Sequence, residues 1–297
     1  MNKLLEGIID MHIHSSPDLT KRNYNDFELV NKANEIKARA IIIKSHHGST
    51  IERAYLSNLY NKDKYPNSNL KIFGGITLNY EVGGLNVHAV EYVLKLGAKI
   101  IWLPTLDSDN EYKKKGKDGG IKVLNENNEV KDELIKIFDL ISKYNAILAT
   151  GHISYEETLK VIEKAQEHHV KKIIITHPEY WIVDESIKQQ KYLVEKYGVY
   201  LEKVYIQPLS NGEWVNNMEV NLEAIKEIGY KHIILSTDSG YYQNDPWEIM
   251  LNKYLDYLVD HGVPINEIKY MSRINQERLL DLNWLLKYIK KTFRFHL

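Results

Sequence analysis

The sequence predicts an α/β fold, a single (β/α)8 TIM barrel, on the basis of three observations. Eight short apolar segments, rich in Ile, alternate along the chain with eight segments whose apolar residues recur at helical spacing. Strands that alternate with helices are typical of a parallel sheet, because each parallel connection requires a crossover. Eight such units in 297 residues match the count and length of a closed barrel. An open, doubly wound sheet is the alternative, but it would not bring the ends of strands one, five, six and eight to one point.

The strands are predicted from apolar runs that end at Gly, Pro or polar clusters. The first strand alternates apolar and polar residues, as a half-buried strand does. The second contains the continuous run Ile41-Ile42-Ile43, as expected of a strand that is covered on both faces. In chain order, the predicted strands lie within residues 7–17, 38–48, 71–79, 99–105, 146–152, 172–177, 199–207 and 233–240.

A helix is predicted after each strand from its apolar period and its end signals. Ser154 and Glu157 have the spacing of a capping box, Ser49 is a candidate cap, and Gly97 is a stop signal. The predicted helices lie within residues 25–37, 51–58, 87–96, 132–143, 156–168, 186–197 and 222–228, followed by a helical region from Trp247 to the C-terminus.

Residues 106–130, after the fourth strand, form the longest segment without a clear period, and residues 120–130 within it are a candidate hairpin. A connection this long is usually a lid, a binding loop or a disordered segment. Because it leaves the C-terminal end of a barrel strand, it starts on the rim where barrel enzymes place their active sites. We therefore expect one domain over residues 1–297, with a lid-like insertion at 106–130 and a C-terminal helical extension.

Composition and charge narrow the class of protein. Lys and Arg total 39 against 40 Asp and Glu, so no basic field points to a nucleic-acid partner. The absence of Cys excludes disulfides, thiolate metal sites and a cysteine nucleophile. The chain enters its first strand without an apolar signal segment, and no apolar run approaches the roughly 20 residues that cross a bilayer. We expect a soluble, cytoplasmic protein with a small-molecule substrate and no membrane partner. Both a monomer and a homo-oligomer are compatible with the sequence.

Candidate metal ligands stand at the ends of the predicted strands. With a side-chain period of two, Asp10, His12 and His14 are expected on one face of the first strand, where two imidazoles can reach one ion. An isolated His-x-His is equally compatible with an ordinary amphipathic strand. Three further candidates end strands five, six and eight: His152, His177 and Asp238. Nitrogen ligands with one carboxylate and no sulfur suit Zn²⁺, with Mn²⁺, Fe²⁺ and Ni²⁺ as alternatives.

On these residues the chain resembles the amidohydrolase superfamily. The resemblance rests on Asp10-x-His12-x-His14, His152, His177 and Asp238, together with the late segment at residues 272–280. It implies a barrel with one or two divalent metal ions that activate water to cleave an amide, ester, lactone or related bond. By position, it makes His12 and His14 ligands of the more buried metal and makes Asp238 both a ligand and the base. In mononuclear relatives one further His completes the site, and His177 is left to polarise the substrate.

The fourth strand departs from the pattern of binuclear relatives, which place a bridging Lys or Glu at its end. This chain has Trp102-Leu103-Pro104-Thr105 there. Lys44, at the end of the second strand, is a candidate substitute, either as a carboxylated bridge or as a charged group that positions the substrate. The alternative is an ordinary snorkelling or ion-paired lysine. His46 and His47, beside it, are further candidate ligands.

Loop residues offer candidates for the substrate pocket. The run Lys113-Lys114-Lys115-Gly116-Lys117 would favour an anionic substrate if it folded over the barrel mouth, and is otherwise a solvated loop tip. The other candidates are Arg22, Asn79, Trp181, Gln207, Trp214, Tyr241 and Tyr242.

The leading functional hypothesis is a metal-dependent hydrolase. The metal would lower the pKa of bound water to about 7, Asp238 would take its proton, and His177 and Lys44 would complete the catalytic residues. A lyase or decarboxylase on the same metal is the second hypothesis. The third is a barrel that keeps a metal only for structure or ligand sensing.

Overall fold

The computed structural model describes residues 3–282 and contains the eight predicted barrel strands in the predicted order. Each strand is short, and its residues are buried almost throughout. The barrel strands are β1 (Ile9–His14), β2 (Ala40–Lys44), β3 (Lys71–Phe73 continued by Gly75–Thr77), β4 (Ile100–Trp102), β5 (Ile147–Ala149), β6 (Ile173–Ile175), β7 (Tyr200–Val204) and β8 (Ile233–Ser236).

The strands form a closed parallel barrel. From β1 to β8 each strand pairs in parallel with the next, and β3 is interrupted only at Gly74, where a Cβ would collide with the backbone of Thr50. Closure comes from the loop after β8: the N–H of Asp238 donates to the carbonyl of His12 at 3.0 Å, and the N–H of His14 donates to that of Ser239 at 2.9 Å. The (β/α)8 prediction is therefore confirmed, and the open sheet is wrong.

Helices surround the strands and bury their apolar faces against the outside of the barrel, whereas a smaller apolar cluster fills its interior. The predicted capping box is present, since Ser154 accepts from the N–H of Glu157, whose side chain accepts from Ser154. The helices are α1 (Asp26–Glu35), α2 (Ile51–Lys64), α3 (Val87–Lys95), α4 (Asp109–Lys114), α5 (Asp132–Lys143), α6 (Tyr155–Glu167), α7 (Ile187–Tyr197), α8 (Met218–Ile228), α9 (Trp247–Asp260), α10 (Ile265–Lys269) and α11 (Asn275–Leu279).

Several boundaries differ from the prediction because tertiary contacts extend or interrupt the local pattern. Helix α2 continues beyond residue 58 to Lys64, and the Asn58 side chain donates to the carbonyls of Ala54 and Ile72. Residues 106–130 contain the short helix α4, and the hairpin predicted at 120–130 is reduced to one bridge between Leu124 and Val130. A hairpin of Ile206–Pro208 with Trp214–Asn216 follows β7 and was not predicted.

The predicted C-terminal helical region is divided rather than continuous. Helix α9 ends before Gly262, α10 begins after Pro264, and a π-helical turn, Tyr270–Ile274, leads into α11. Gln276 and Asn275 donate to the carbonyls of Leu235 and Ile233, which attaches this region to β8. The remainder of the predicted extension, residues 283–297, lies outside the described residues. Over residues 3–282, no helix combines the length and the apolar character needed to span a membrane.

Candidate metal centre

A β-bulge in β1 decides which of its polar side chains enter the barrel. Ile9 and Asp10 pair with Ala40 and Ile41 of β2, but the pairing resumes at Ile13 with Ile43, so β1 has one extra residue in between. The extra residue changes the phase of the strand. His12 and His14 point into the barrel after the bulge, although the apolar Ile9 and Met11 also lie in its interior before it.

Asp10 consequently points away from the histidines, and the expectation that it shares their face is wrong. Its carboxylate accepts hydrogen bonds from the Thr237 hydroxyl at 2.7 Å and from the indole N–H of Trp247 on α9 at 2.9 Å. Burial raises the pKa of Asp10 to about 6, although these hydrogen bonds oppose the rise. Asp10 thus fastens β1 to β8 and α9 from outside the site.

His12, His14 and Asp238 converge at the C-terminal ends of β1 and β8. Oδ1 of Asp238 lies 3.0 Å from Nε2 of His12 and 3.2 Å from Nε2 of His14, and one candidate ligand atom from each residue lies within 4.8 Å of the other two. Asp238 adopts a φ of 53°, a left-handed conformation that Asp tolerates better than most residues. Gly240 follows, where a Cβ would collide with the carbonyl oxygen of His14.

Buried charges around His12 set its protonation. Nδ1 of His12 lies 3.0 Å from Oε2 of Glu202 on β7, and a carboxylate can only accept, so His12 donates there. Burial lowers the pKa of His12, but Asp238 and Glu202 outweigh it and raise that pKa to about 9. Burial alone would raise the pKa of Asp238, whereas its contacts with His12 and His14 hold that pKa well below the usual range. Burial and the nearby Arg22 lower the pKa of His14.

Lys44 lies inside the site, at the end of β2. Its side chain has no exposed surface, and its Nζ is 2.9 Å from Nε2 of His12 and 5.7 Å from the ring centroid of Trp102. A snorkelling surface lysine is therefore excluded. Burial lowers the pKa of Lys44, although the nearby carboxylates of Asp238 and Glu202 oppose this change.

His152 and His177 form a second group beside the first. Their ring centroids are 4.9 Å apart, and the His177 ring is 5.8 Å from that of His12. Nδ1 of His152 contacts the carboxylate of Glu111, on α4. Nε2 of His152 and Nδ1 of His177 are buried and have no hydrogen-bond partner among the described residues. Burial lowers the pKa of both histidines.

The two further histidines after β2 separate. His46 stacks on His14, with ring centroids 4.9 Å apart, and its Nδ1 lies 2.8 Å from the Thr105 hydroxyl. His47 instead faces Glu81 at 2.8 Å, towards the solvent. His46 therefore borders the cluster of candidate metal ligands, and His47 does not.

A cavity of about 80 Å³ opens beside these side chains, and it is also lined by Tyr180, Pro208 and Leu106, the first residue of the predicted lid (residues 106–130, called the lid below). Among the predicted loop residues, Arg22, Gln207 and Trp214 line it. Tyr241 lies behind Trp214, with ring centroids 5.0 Å apart, and Asn79 instead donates to the Thr105 hydroxyl at 2.8 Å. Trp181 packs against Tyr180, and Tyr242 packs against Tyr241.

The lysine run of the lid does not line this cavity. Lys113 pairs with Asp109 at 2.6 Å, Lys114 with Asp184 at 3.2 Å, and Lys115 with Glu111 at 2.5 Å. These lysines are thus paired with carboxylates away from the cavity, and their placement does not favour an anionic substrate.

Two carboxylates of the site, those of Glu202 and Glu111, are not among the residues predicted from the sequence. Glu202 stands beside Lys203 in the middle of an otherwise apolar strand, and this pair of buried charges was a usable signal. Lys203 points the other way, to Glu179 at 3.1 Å. Glu111 had no comparable signal, because its role depends on how the lid folds back onto β5.

The donor set fits a divalent metal of the zinc type. Two imidazole nitrogens and one carboxylate oxygen lie together without sulfur. Glu202 behind His12, and Glu111 behind His152, are the kind of carboxylate that orients a metal-binding imidazole through its other nitrogen. The unpartnered Nε2 of His152 adds a nitrogen donor beside the cluster.

Comparisons with known proteins agree with this barrel. The model of the family of unknown function DUF6282 matches residues 7–202, and no curated protein matches the chain. An amidohydrolase from Pseudomonas aeruginosa is similar with a TM-score of 0.64 and 14% identity, over 94% of this chain and 97% of that chain. The probable dipeptidase PvdM from the same organism has a TM-score of 0.61 and 11% identity, over 94% and 96%.

A third structure, an amidohydrolase from Burkholderia multivorans with bound zinc, has a TM-score of 0.55 and 8% identity, over 92% of this chain and 99% of that chain. At these identities the likeness establishes a common fold. The resemblance to the amidohydrolase superfamily is thus confirmed at the level of the barrel.

Proposed function

We propose that this protein, which belongs to the family of unknown function DUF6282, is a metal-dependent hydrolase of a small molecule. The observation that carries the proposal is the convergence of His12, His14 and Asp238 at the C-terminal rim of the barrel, beneath a small cavity. Barrel enzymes place their chemistry on this rim. Structures of the same fold include one with bound zinc and one described as a probable dipeptidase.

His12, His14 and Asp238 are the residues that would hold the metal, with His152 and His177 as further ligands. When bound, a divalent ion of this kind supplies an activated water and polarises the bond to be cleaved. Glu202 accepts the Nδ1 proton of His12, which leaves Nε2 as the nitrogen that would bind the metal.

Asp238 is the base of the proposed reaction. Its side chain is 17% exposed, whereas those of His12 and His14 are 0% and 2% exposed, so it is the most open of the three. It also lines the cavity. A proton released by the attacking water is taken up by its carboxylate and is passed to the leaving group.

In this proposal Lys44 and His177, which lie beside the three clustered residues, act on the substrate. The Lys44 amine, 2.9 Å from His12, is close enough to donate to a substrate oxygen near the ligands or to bridge as a carboxylated group. His177 lines the cavity, and in a site with one metal ion its ring would polarise a carbonyl instead of binding metal. Leu106, Tyr180 and Trp214 exclude bulk water, which strengthens electrostatic interactions within the site.

The test combines metal loading with a substrate screen. Chelator-treated protein is titrated with Zn²⁺ in a calorimeter, and the loaded protein is then assayed against amides, esters, lactones and small carboxylic acids. Stoichiometric zinc and hydrolysis that depends on it are expected. Release of CO2 without hydrolysis would instead identify a lyase, and a loaded protein that turns over no substrate would favour a non-catalytic role.

A further inference from the structure

We propose that Glu111 of the lid is a positioning residue for His152: it accepts the Nδ1 proton of His152 and so keeps the lone pair of Nε2 on the cavity side. The role of Nε2 in binding a metal or a substrate rests on the proposed function, but the tautomer that Glu111 selects does not. The lid, rather than the barrel, then sets the protonation of one half of the site.

Glu111 is placed as a buried acceptor, not as a surface ion pair. Its side chain has no exposed surface, one carboxylate oxygen contacts Nδ1 of His152, and the other accepts from Nζ of Lys115 at 2.5 Å. The Lys115 side chain is 39% exposed. A chain of polar contacts therefore runs from solvent, through Glu111, to the His152 ring. It also gives the lysine run a role, since Lys115 compensates the buried negative charge of Glu111.

The lid holds the backbone of His152 as well as its ring. The Ser108 hydroxyl donates to the carbonyl of His152 at 3.1 Å and accepts from the N–H of Glu111 at 3.0 Å. The Asn110 amide donates to the same His152 carbonyl at 3.0 Å and to the carbonyl of Ile182 at 2.9 Å. Three side chains of one short segment thus converge on a single histidine, which fixes the distance between Glu111 and the imidazole.

The chemistry of the pair determines the tautomer. A carboxylate only accepts hydrogen bonds, so Nδ1 of His152, which contacts Glu111, carries a proton, and a second proton on Nε2 would have no acceptor among the described residues. Nε2 then bears the lone pair, and it is buried without a partner among the described residues. The free nitrogen is therefore in the state that can bind a metal or accept a proton from the substrate. If the lid moved away, the ring would lose the acceptor that selects this tautomer.

The experiment uses the full-length protein with ¹⁵N-labelled histidine, measured without metal, and His152 is assigned with the variant His152→Gln. In the wild type we expect the Nδ1–H tautomer of His152. Glu111→Gln, whose amide can both donate and accept, should give a mixture of tautomers, and Glu111→Asp should restore the wild-type signature. The matched control is Glu81→Gln, because Glu81 faces Nδ1 of His47 at 2.8 Å outside the cavity. This control should leave the His152 signals unchanged.

A second measurement shows the consequence of the change. Loss of a carboxylate behind a metal-binding or catalytic histidine typically lowers metal affinity or activity by about 10–100-fold. We expect a loss of this size in zinc affinity or in turnover for Glu111→Gln, with a melting temperature that confirms folding.

An Nε2–H tautomer or a charged ring in the wild type would overturn the proposal. So would a Glu111→Gln variant whose His152 tautomer, zinc affinity and turnover all equal those of the wild type. The protein could show the Nδ1–H tautomer of His152 but bind no zinc and hydrolyse no substrate. That result would refute the proposed function and still support the positioning role, because the spectra are recorded without metal.

Discussion

The two halves of the candidate site are built by different parts of the fold. His12, His14 and Asp238 stand at the ends of β1 and β8, where backbone hydrogen bonds close the barrel. His152 and His177 follow β5 and β6, and the lid holds His152 in place. One half is therefore a product of the strands, and the other depends on a loop.

The difference shows in how completely each half is satisfied. In the strand-built half, each of the two histidines has a polar partner at both ring nitrogens. In the loop-supported half, a buried nitrogen of His152 and one of His177 lack any partner among the described residues. Buried polar groups without partners are costly, so these two nitrogens are available to a metal ion or a substrate.

The largest effect is expected from removing the strand-built half. The double variant His12→Ala, His14→Ala deletes two of the three clustered candidate ligands, so it should lose bound zinc almost completely. Elemental analysis after dialysis measures the loss, and circular dichroism checks the fold. The double variant His168→Ala, His261→Ala removes two histidines outside the site and serves as the control. Full zinc occupancy without His12 and His14 would contradict the assignment.

Local signals are the reason that much of the fold could be predicted. Residues 132–143 were predicted to the residue as α5, because a strong apolar period is bounded on both sides by strand and turn patterns. The juxtaposition of His12, His14 and Asp238 followed from the barrel, since closure brings the ends of the first and last strands together.

The parts that could not be predicted depend on non-local contacts. The bulge that separates Asp10 from the two histidines is a mismatch between two strands and has no signal in either alone. Helix α4 is only six residues long, and it is held by contacts of Ser108 and Asn110 with the His152 carbonyl, about 40 residues away in the sequence. Tertiary contacts thus decided these elements.

Lys44 gives the next largest effect, because its buried amine lies 2.9 Å from Nε2 of His12. In Lys44→Met the buried volume is kept and the amine is lost, so turnover should fall by about 100-fold, as it does when a donor near developing charge is removed. Steady-state kinetics on a substrate from the screen measures it. Lys172→Met, a lysine paired with Asp281 away from the cavity, is the control. Unchanged kcat in Lys44→Met would remove Lys44 from the catalytic residues.

Shortening the lid should impair the loop-supported half of the site and leave the strand-built half intact. Replacement of residues 106–130 by a few Gly and Ser residues removes Leu106 from the cavity wall and Glu111 from His152. We expect about a 100-fold loss of turnover through misplacement and water entry, while zinc stays bound to the strand-built half. Since Val123 packs in the core, the melting temperature must accompany the assay. A shortened, folded enzyme with full activity would show that the lid is dispensable.

A substitution of Glu202 should have a smaller effect, confined to the strand-built half. Glu202→Gln keeps the shape of the side chain but weakens the acceptor for Nδ1 of His12, so zinc affinity should fall by about 10–100-fold. Calorimetry with zinc measures the change. Glu81→Gln, the same substitution at a surface histidine pair, should have no effect. An affinity equal to that of the wild type would mean that the barrel backbone alone orients His12.

The smallest effect on the site is expected from a substitution of Glu185, which lies in the loop after β6. Such a substitution changes the stability of the loop-supported half and leaves His152 and His177 in place. The Glu185 side chain is 3% exposed, and neither oxygen has a partner among the described residues. Burial raises its pKa from 4.5 to about 8, although Lys203 opposes the rise. The folded protein therefore keeps a proton there that the unfolded chain releases above pH 4.5. The stabilising contribution is complete below that pH and is lost as the pH rises through about 8.

Relative to Glu185→Gln, the wild type should lose at most a few kcal/mol of unfolding free energy between pH 5 and pH 9, since one pKa unit corresponds to about 1.4 kcal/mol. Urea denaturation of both proteins across this range measures the difference, and zinc affinity at fixed pH should be equal in the two. A difference that stays constant with pH would show that Glu185 is ionised in the folded protein.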